Sequence, residues 1–317
     1  MCFLFDRLLS QKVRWLGDLH SCHRYRRVFS RAIDGDGAAA FEIANAYYGQ
    51  WFEPSSDEAH YRWCLEAARL GHAEAMVDVA RGNMFGIGVR KNRRTAWKHL
   101  VAALQSADEG ARRLARVLMA ASFLHGWGCP RNARLGLRQL RTEADHGSIA
   151  AAEILGEEFL EGTVVRKNYK KAARWLEIGA RANTPSSARR LAELYEFGRG
   201  VKRSAKTAMS WMKRAAVGGD LEARHLLGLY YQDGVGTRPD RAKAIRWYLK
   251  SWKFRNPSSA FNLGLVYWCS GASARRTAWK WFRLAAQHGH RTSLRFVETR
   301  NESLIQQYLP YPVDTAR

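Results

Sequence analysis

Small and apolar residues recur in blocks along the chain, and the blocks recur at a fixed distance. Within one block, Ala223, Leu227, Gly228 and Tyr231 fall at i, i+4, i+5 and i+8, a single stripe of an α-helix. The aromatics Phe123, Phe159, Tyr195, Tyr231 and Tyr267 step by 36, as do the small residues Ala120, Gly156, Ala192, Gly228 and Gly264 three positions earlier. Trp175, Trp211 and Trp247 keep the same step. So do Gly126, Gly162, Gly198 and Gly234, and Asn132, Asn168, Ser204 and Asp240; Gly86 and Asn92 lie 40 ahead of their columns. Five columns that agree on one period predict stacked copies of one supersecondary unit.

Each column has a place in a helix-turn-helix. Small residues on the first stripe let two helices approach closely. Gly-x-Gly then ends the first helix (Gly86 and Gly88, Gly126 and Gly128, Gly198 and Gly200, Gly234 and Gly236), since glycine reaches the left-handed conformation at little steric cost. Asn, Ser or Asp caps a second helix. That helix carries Ala and Trp three apart and ends in an Ala-Ala pair before Gly71, Gly147, Gly219 or Gly289. Seven units are expected, at 37–71, 72–107, 108–147, 148–184, 185–219, 220–255 and 256–289. A degenerate capping unit precedes them at 1–36, and a capping helix and tail follow at 290–317. The unit from 108 is the least regular, with Pro130 in its turn and Gln105-Ser106-Ala107 as a small insertion before it, and it reads as a bend. The fold class is all-α, a right-handed α/α superhelical solenoid, with the Trp and Tyr columns in its core.

At these residues the chain resembles the Sel-one-like repeat family, a branch of the tetratricopeptide-like solenoids. Gly86-Ile87-Gly88-Val89 and Gly198-Arg199-Gly200-Val201 carry the family's turn, and Gly228 to Gly236 followed by Asp240, Ala244 and Trp247 matches nearly a whole unit. The resemblance implies a scaffold that binds other proteins without chemistry of its own. Exported members often have a signal peptide, and some have paired cysteines; this sequence departs from both patterns.

Composition narrows the classes. In 317 residues, 52 Lys and Arg stand against 29 Asp and Glu, a net charge of +23, and 46% of residues are hydrophobic. That content buries a core, so disordered and fibrous classes are excluded. No run approaches the roughly 18 apolar residues of a membrane span. Cys2, Cys22, Cys64, Cys129 and Cys269 are odd in number and scattered, which favours a reducing compartment. The first residues are interrupted by Asp6 and Arg7 and fit no secretory leader; Asp6 and Asp18 argue against a mitochondrial one, and a cytoplasmic location is expected.

Sequence motifs point to no catalytic, cofactor-binding or metal-ligating residue, and no small-molecule substrate is expected. No nucleophile elbow, phosphate-binding lysine loop or zinc-protease helix occurs. The Gly-x-Gly pairs are turns in a helical array, His20-Ser21-Cys22-His23 does not converge on a helix, and His72, His146 and His288 sit where helices end.

Two surfaces remain. Before the caps stand Lys91, Arg131, Lys167 and Arg203; two after them stand Arg94, Arg134, Lys170 and Lys206; six after them stand Lys98, Arg138, Arg174 and Arg246. With units about 8–10 Å apart, these columns form a basic outer ridge that attracts acidic protein segments. Cations near a helix N-terminus cost about 0.3–1 kcal/mol each, so their recurrence argues for use rather than stability. The second surface is the concave groove of the first helices, with Asp78, Arg81, Arg112, Arg113, Arg116, Glu153, Glu157, Arg189, Arg190, Glu193 and Arg224 off the packed stripe. Mixed charge there suits a peptide or helical partner. The rival reading is a nucleic-acid-binding repeat protein, and residues 3–19 carry an apolar stripe that suits either an anionic membrane surface or the first repeat.

Overall fold

The computed structural model describes residues 22–48 and 57–309, with side chains at 27–47 and 57–309. Among them all regular structure is helical. In chain order the helices are α1 (Cys22–Ile33), α2 (Gly37–Tyr48), α3 (Asp57–Arg69), α4 (Ala73–Phe85), α5 (Arg93–Leu104), α6 (Glu109–His125), α7 (Ala133–Asp145), α8 (Ile149–Glu161) and α9 (Tyr169–Arg181). They continue with α10 (Pro185–Phe197), α11 (Ala205–Val217), α12 (Leu221–Asp233), α13 (Arg241–Trp252), α14 (Pro257–Trp268), α15 (Arg275–Gln287), α16 (Arg291–Thr299) and α17 (Glu302–Gln306). The chain forms two compact units, one reaching Ile154 and one starting at Leu155. The stretch 3–19 and the His20 to His23 side chains lie outside the described residues.

In each unit, helices pack in antiparallel pairs, and each pair packs on the next. Gly86, Gly126, Gly198 and Gly234 take the left-handed conformation and end α4, α6, α10 and α12. The amide of each following cap residue then donates to the carbonyl of the aromatic column: Asn132 to Phe123 at 2.8 Å, Asn168 to Phe159 at 2.8 Å, Ser204 to Tyr195 at 2.9 Å and Asp240 to Tyr231 at 2.7 Å. The cap side chains accept from the amide three residues on, as Asn92 does from Thr95 and Asp240 from Lys243.

The second glycine of each pair does something else. A Cβ on Gly88, Gly128, Gly200 or Gly236 would overlap the backbone of Asp57, Arg93, Tyr169 or Ala205, at the start of the preceding repeat's second helix. These glycines are therefore contacts between repeats as well as turn residues.

The first helices have a cap column of their own. His72 accepts from the Ala75 amide, Asp108 from Ala111, Asp220 from Ala223 and His290 from Ser293. His72 thus starts a helix rather than ending one. The extra residues behind the 40-residue steps are not a loop insertion at Gln105–Ala107: α6 has 17 residues where α4, α10 and α12 have 13, so one added turn absorbs them.

In the core, the residue that fills the gap between paired helices is the one after the Trp column. Leu100, Leu140, Leu176, Met212, Tyr248 and Phe282 are at most 1% exposed. Trp175, Trp211 and Trp247 are only half-buried, with Arg174, Arg214 and Lys250 over their rings. The expectation of a Trp core is corrected accordingly: a helix turns about 100° per residue, so neighbouring positions cannot both face the partner. Opposite the large residue stands the small one 20 positions earlier, or 18 earlier for Phe282, which fills the space over Gly264. Where it is Gly156 or Gly228, its missing Cβ is the space taken by Leu176 or Tyr248; Ala80 shares a buried cluster with Leu100.

Candidate partner-binding surfaces

In the unit reaching Ile154, the first helices present Asp78 and Arg81 on α4 and Arg112, Arg113 and Arg116 on α6. Arg81 donates to Asp78 at 3.0 Å. Arg112 pairs with Glu109 at 2.6 Å, and Arg116 spans Glu109 at 2.9 Å and Glu143 of α7 at 2.6 Å. These two guanidinium groups hold the Glu109 carboxyl below its usual range by hydrogen bonds, first from Arg116 and then from Arg112. Arg113 is exposed and Glu153 half-buried. The Asp78 carboxylate also lies within 4.8 Å of His60 and Cys64 donor atoms on α3.

In the unit from Leu155, Arg189 and Arg190 of α10 do the joining. Arg189 pairs with Glu193 at 2.9 Å and with Asp220 at 3.2 Å, and all three side chains are largely covered. Asp220 uses its other oxygen to cap α12, so one carboxylate ties two repeats. Burial is the largest influence on Arg189 and lowers its pKa, but Asp220 and Glu193 outweigh it and leave the pKa raised. Arg190 donates to Glu157 of α8 at 3.2 Å and sits 3.6 Å from Glu193. Burial lifts the Glu157 pKa despite that partner. Arg224 donates to the Ala216 carbonyl at 3.3 Å and lies 4.7 Å over the Phe254 ring. The predicted groove residues are thus largely engaged with one another, through partners the sequence reading passed over: Glu109, Glu143 and Asp220. A cap-type aspartate at the 36-residue spacing was the available signal for Asp220.

The basic columns behave differently. Lys91, Arg94, Lys98, Arg131, Arg134 and Arg138 in one unit, and Lys167, Lys170, Arg174, Arg203, Lys206 and Arg246 in the other, are all exposed. None of the twelve forms a salt bridge with a described acidic residue. The column before the caps has a structural reason, which corrects the dipole argument. Arg131 donates to the Leu124 carbonyl at 3.2 Å and Arg203 to the Glu196 carbonyl at 3.0 Å, at the negative ends of α6 and α10. The stem of Lys91 covers Gly86. The cations two and six after the caps make no hydrogen bond of this kind to a helix end, and Arg174 lies over the Trp175 ring.

No helix among the described residues is long and apolar enough to cross a membrane. Similarity to solved structures supports the architecture. A Sel1 repeat protein from Oxalobacter formigenes is 22% identical, with a TM-score of 0.58, over 78% of this chain and 99% of that one. A protective antigen of uropathogenic Escherichia coli with an SLR fold is 23% identical, with a TM-score of 0.57, over 87% of this chain; this chain spans 59% of its length. At these identities the likeness speaks to fold alone. Comparison with curated proteins gives no significant match. The Sel1 repeat family model matches residues 37–72, 73–107, 109–138, 149–183, 185–220, 221–251 and 257–290. Seven successive matches cover well over half of the sequence, and the chain belongs to the Sel1 repeat family.

Proposed function

We propose that the chain is a non-enzymatic scaffold that holds a protein partner against the polar face of its first helices, the groove expected from the sequence, while the basic columns select partners with acidic segments. Sel1 repeat proteins generally act as protein-protein interaction scaffolds, which supports the class. The observation that carries the finer reading is the division of charge. On the first-helix face Arg112, Arg116, Arg189 and Arg190 are matched by Glu109, Glu143, Glu157, Glu193 and Asp220, so these side chains are ordered before a partner arrives. The twelve cations of the basic columns are exposed and form no salt bridge with a described acidic residue, so their field is available to an incoming chain. Cys64, Cys129 and Cys269 are unbridged, in keeping with work in a reducing cytoplasm.

The test is affinity capture by the full chain from native lysate at low and high salt, with and without nuclease, beside a variant carrying Lys91→Glu, Arg94→Glu, Lys167→Glu and Lys170→Glu. Specific protein partners that survive nuclease and are lost from the variant support the reading. Partners retained by the variant at low salt remove the basic columns from it, and loss of every partner on nuclease treatment overturns it in favour of nucleic acid.

A further inference from the structure

Three metal-binding side chains meet between α3 and α4 at positions where other repeats are mostly apolar. Counted by the repeat, His60 stands in the column of Ala96, Gly136, Ala172, Ala208 and Ala244. Cys64 stands in that of Leu100, Leu140, Leu176, Met212 and Tyr248, the fully buried large residues. Asp78 lies eight before its helix-ending glycine, as Leu118, Ile154 and Leu226 do, with Arg190 the polar exception. In this one layer all three columns change to ligand-type residues together, and their donor atoms lie within 4.8 Å of one another.

The donor set suits a small tetrahedral ion. Cys64 Sγ lies 3.5 Å from His60 Nε2. Bonds of about 2.3 Å to sulfur and about 2.0–2.1 Å to nitrogen at a tetrahedral angle place those atoms about 3.5 Å apart. His60 Nδ1 is 2.9 Å from the Ala44 carbonyl of α2. A carbonyl can only accept, so Nδ1 bears the hydrogen and Nε2 is left as the ligand atom; the sulfur, 4.0 Å from Nδ1 as well, stands beside the ring, so an ion held by both requires the imidazole to turn toward Cys64. Cys64 is 1% exposed while the Asp78 side chain is 20% exposed, so the cluster is deep at sulfur and open at the carboxylate. That opening supplies an entry path and a fourth position for water. Arg81, 3.0 Å from Asp78 Oδ1, leaves the second carboxylate oxygen for an ion.

We propose that His60, Cys64 and Asp78 form a zinc site that ties α3 to α4, with water as the fourth ligand. One sulfur, one imidazole and one carboxylate select a zinc-like ion over magnesium or calcium. Binding releases the Cys64 thiol proton to solvent, and thiolate plus carboxylate balance the two positive charges.

Cobalt(II) titration of the reduced full chain, followed by competition with zinc, tests this. The expected result is one equivalent bound, with thiolate-to-cobalt charge transfer and tetrahedral ligand-field bands that zinc abolishes. His60→Ala and Cys64→Leu install residues that other repeats carry at these positions, so the double variant should fold. It should lose the bands, and zinc should raise the melting temperature of the parent but not of the variant. Absence of the charge-transfer band at saturation overturns the site, and so does its persistence in Cys64→Leu, which would place the ion on other cysteines.

Discussion

Replacing Gly228 with alanine sets two effects against each other. Gly228 is buried in α12, and a Cβ there would stand 2.5 Å from Tyr248 Cδ1, with Cε1 nearer still. The ring has little room to yield: Tyr248 is 0% exposed, and its hydroxyl donates to Gln232 Oε1 at 3.0 Å. Overpacking of this kind costs about 1–3 kcal/mol, while alanine in a helix interior is favoured over glycine by about 1 kcal/mol. The expected net is a loss of about 0–2 kcal/mol. Tyr248→Leu removes the obstacle and turns the pair into the one already present as Ala80 and Leu100, both 0% exposed. In that background Gly228→Ala should be neutral or stabilising, giving a coupling of about 1–3 kcal/mol in a double-mutant cycle. Urea unfolding followed by helical circular dichroism measures all four proteins. Equal costs in both backgrounds, or a stability gain from the single change, would refute complementary packing between the two columns.

Gly200→Ala should be worse than Gly228→Ala, since it adds a side chain at a φ of +72° against the Tyr169 backbone; a loss above about 2 kcal/mol by the same assay is expected. Arg189→Ala leaves Asp220 partly covered with no cation beside it and Glu193 with only Arg190 at 3.6 Å, and should cost about 1–3 kcal/mol, more than the exposed Arg181→Ala. Burial, and then His290, push the His225 pKa from 6.5 down to about 4. The folded state therefore disfavours the proton: this contribution is complete above pH 6.5 and is lost as the pH falls toward about 4, by about 3 kcal/mol. Melting temperatures across that range should fall less steeply in His225→Gln; parallel curves would count against the assignment.

The period, the helix hairpins, the left-handed glycines and the caps Asn92, Asn132, Asn168, Ser204 and Asp240 were legible along the chain, because each is a local requirement met within a few residues and repeated at 36. Tertiary structure decided what depends on residues a repeat away. Gly88, Gly128, Gly200 and Gly236 look like turn glycines, yet the backbone they touch belongs to the preceding repeat. Spacing alone does not say which of Trp211 and Met212 faces inward, since both keep the period and only the rotation of the packed helix separates them. Charge is the clearest case. Arg189 and Arg203 are equally basic in sequence, but one meets Asp220 across 31 residues while the other reaches only a backbone carbonyl. Pairing is a property of neighbouring helices, and within each unit it separates arginines that meet carboxylates from cations that meet no described acidic residue.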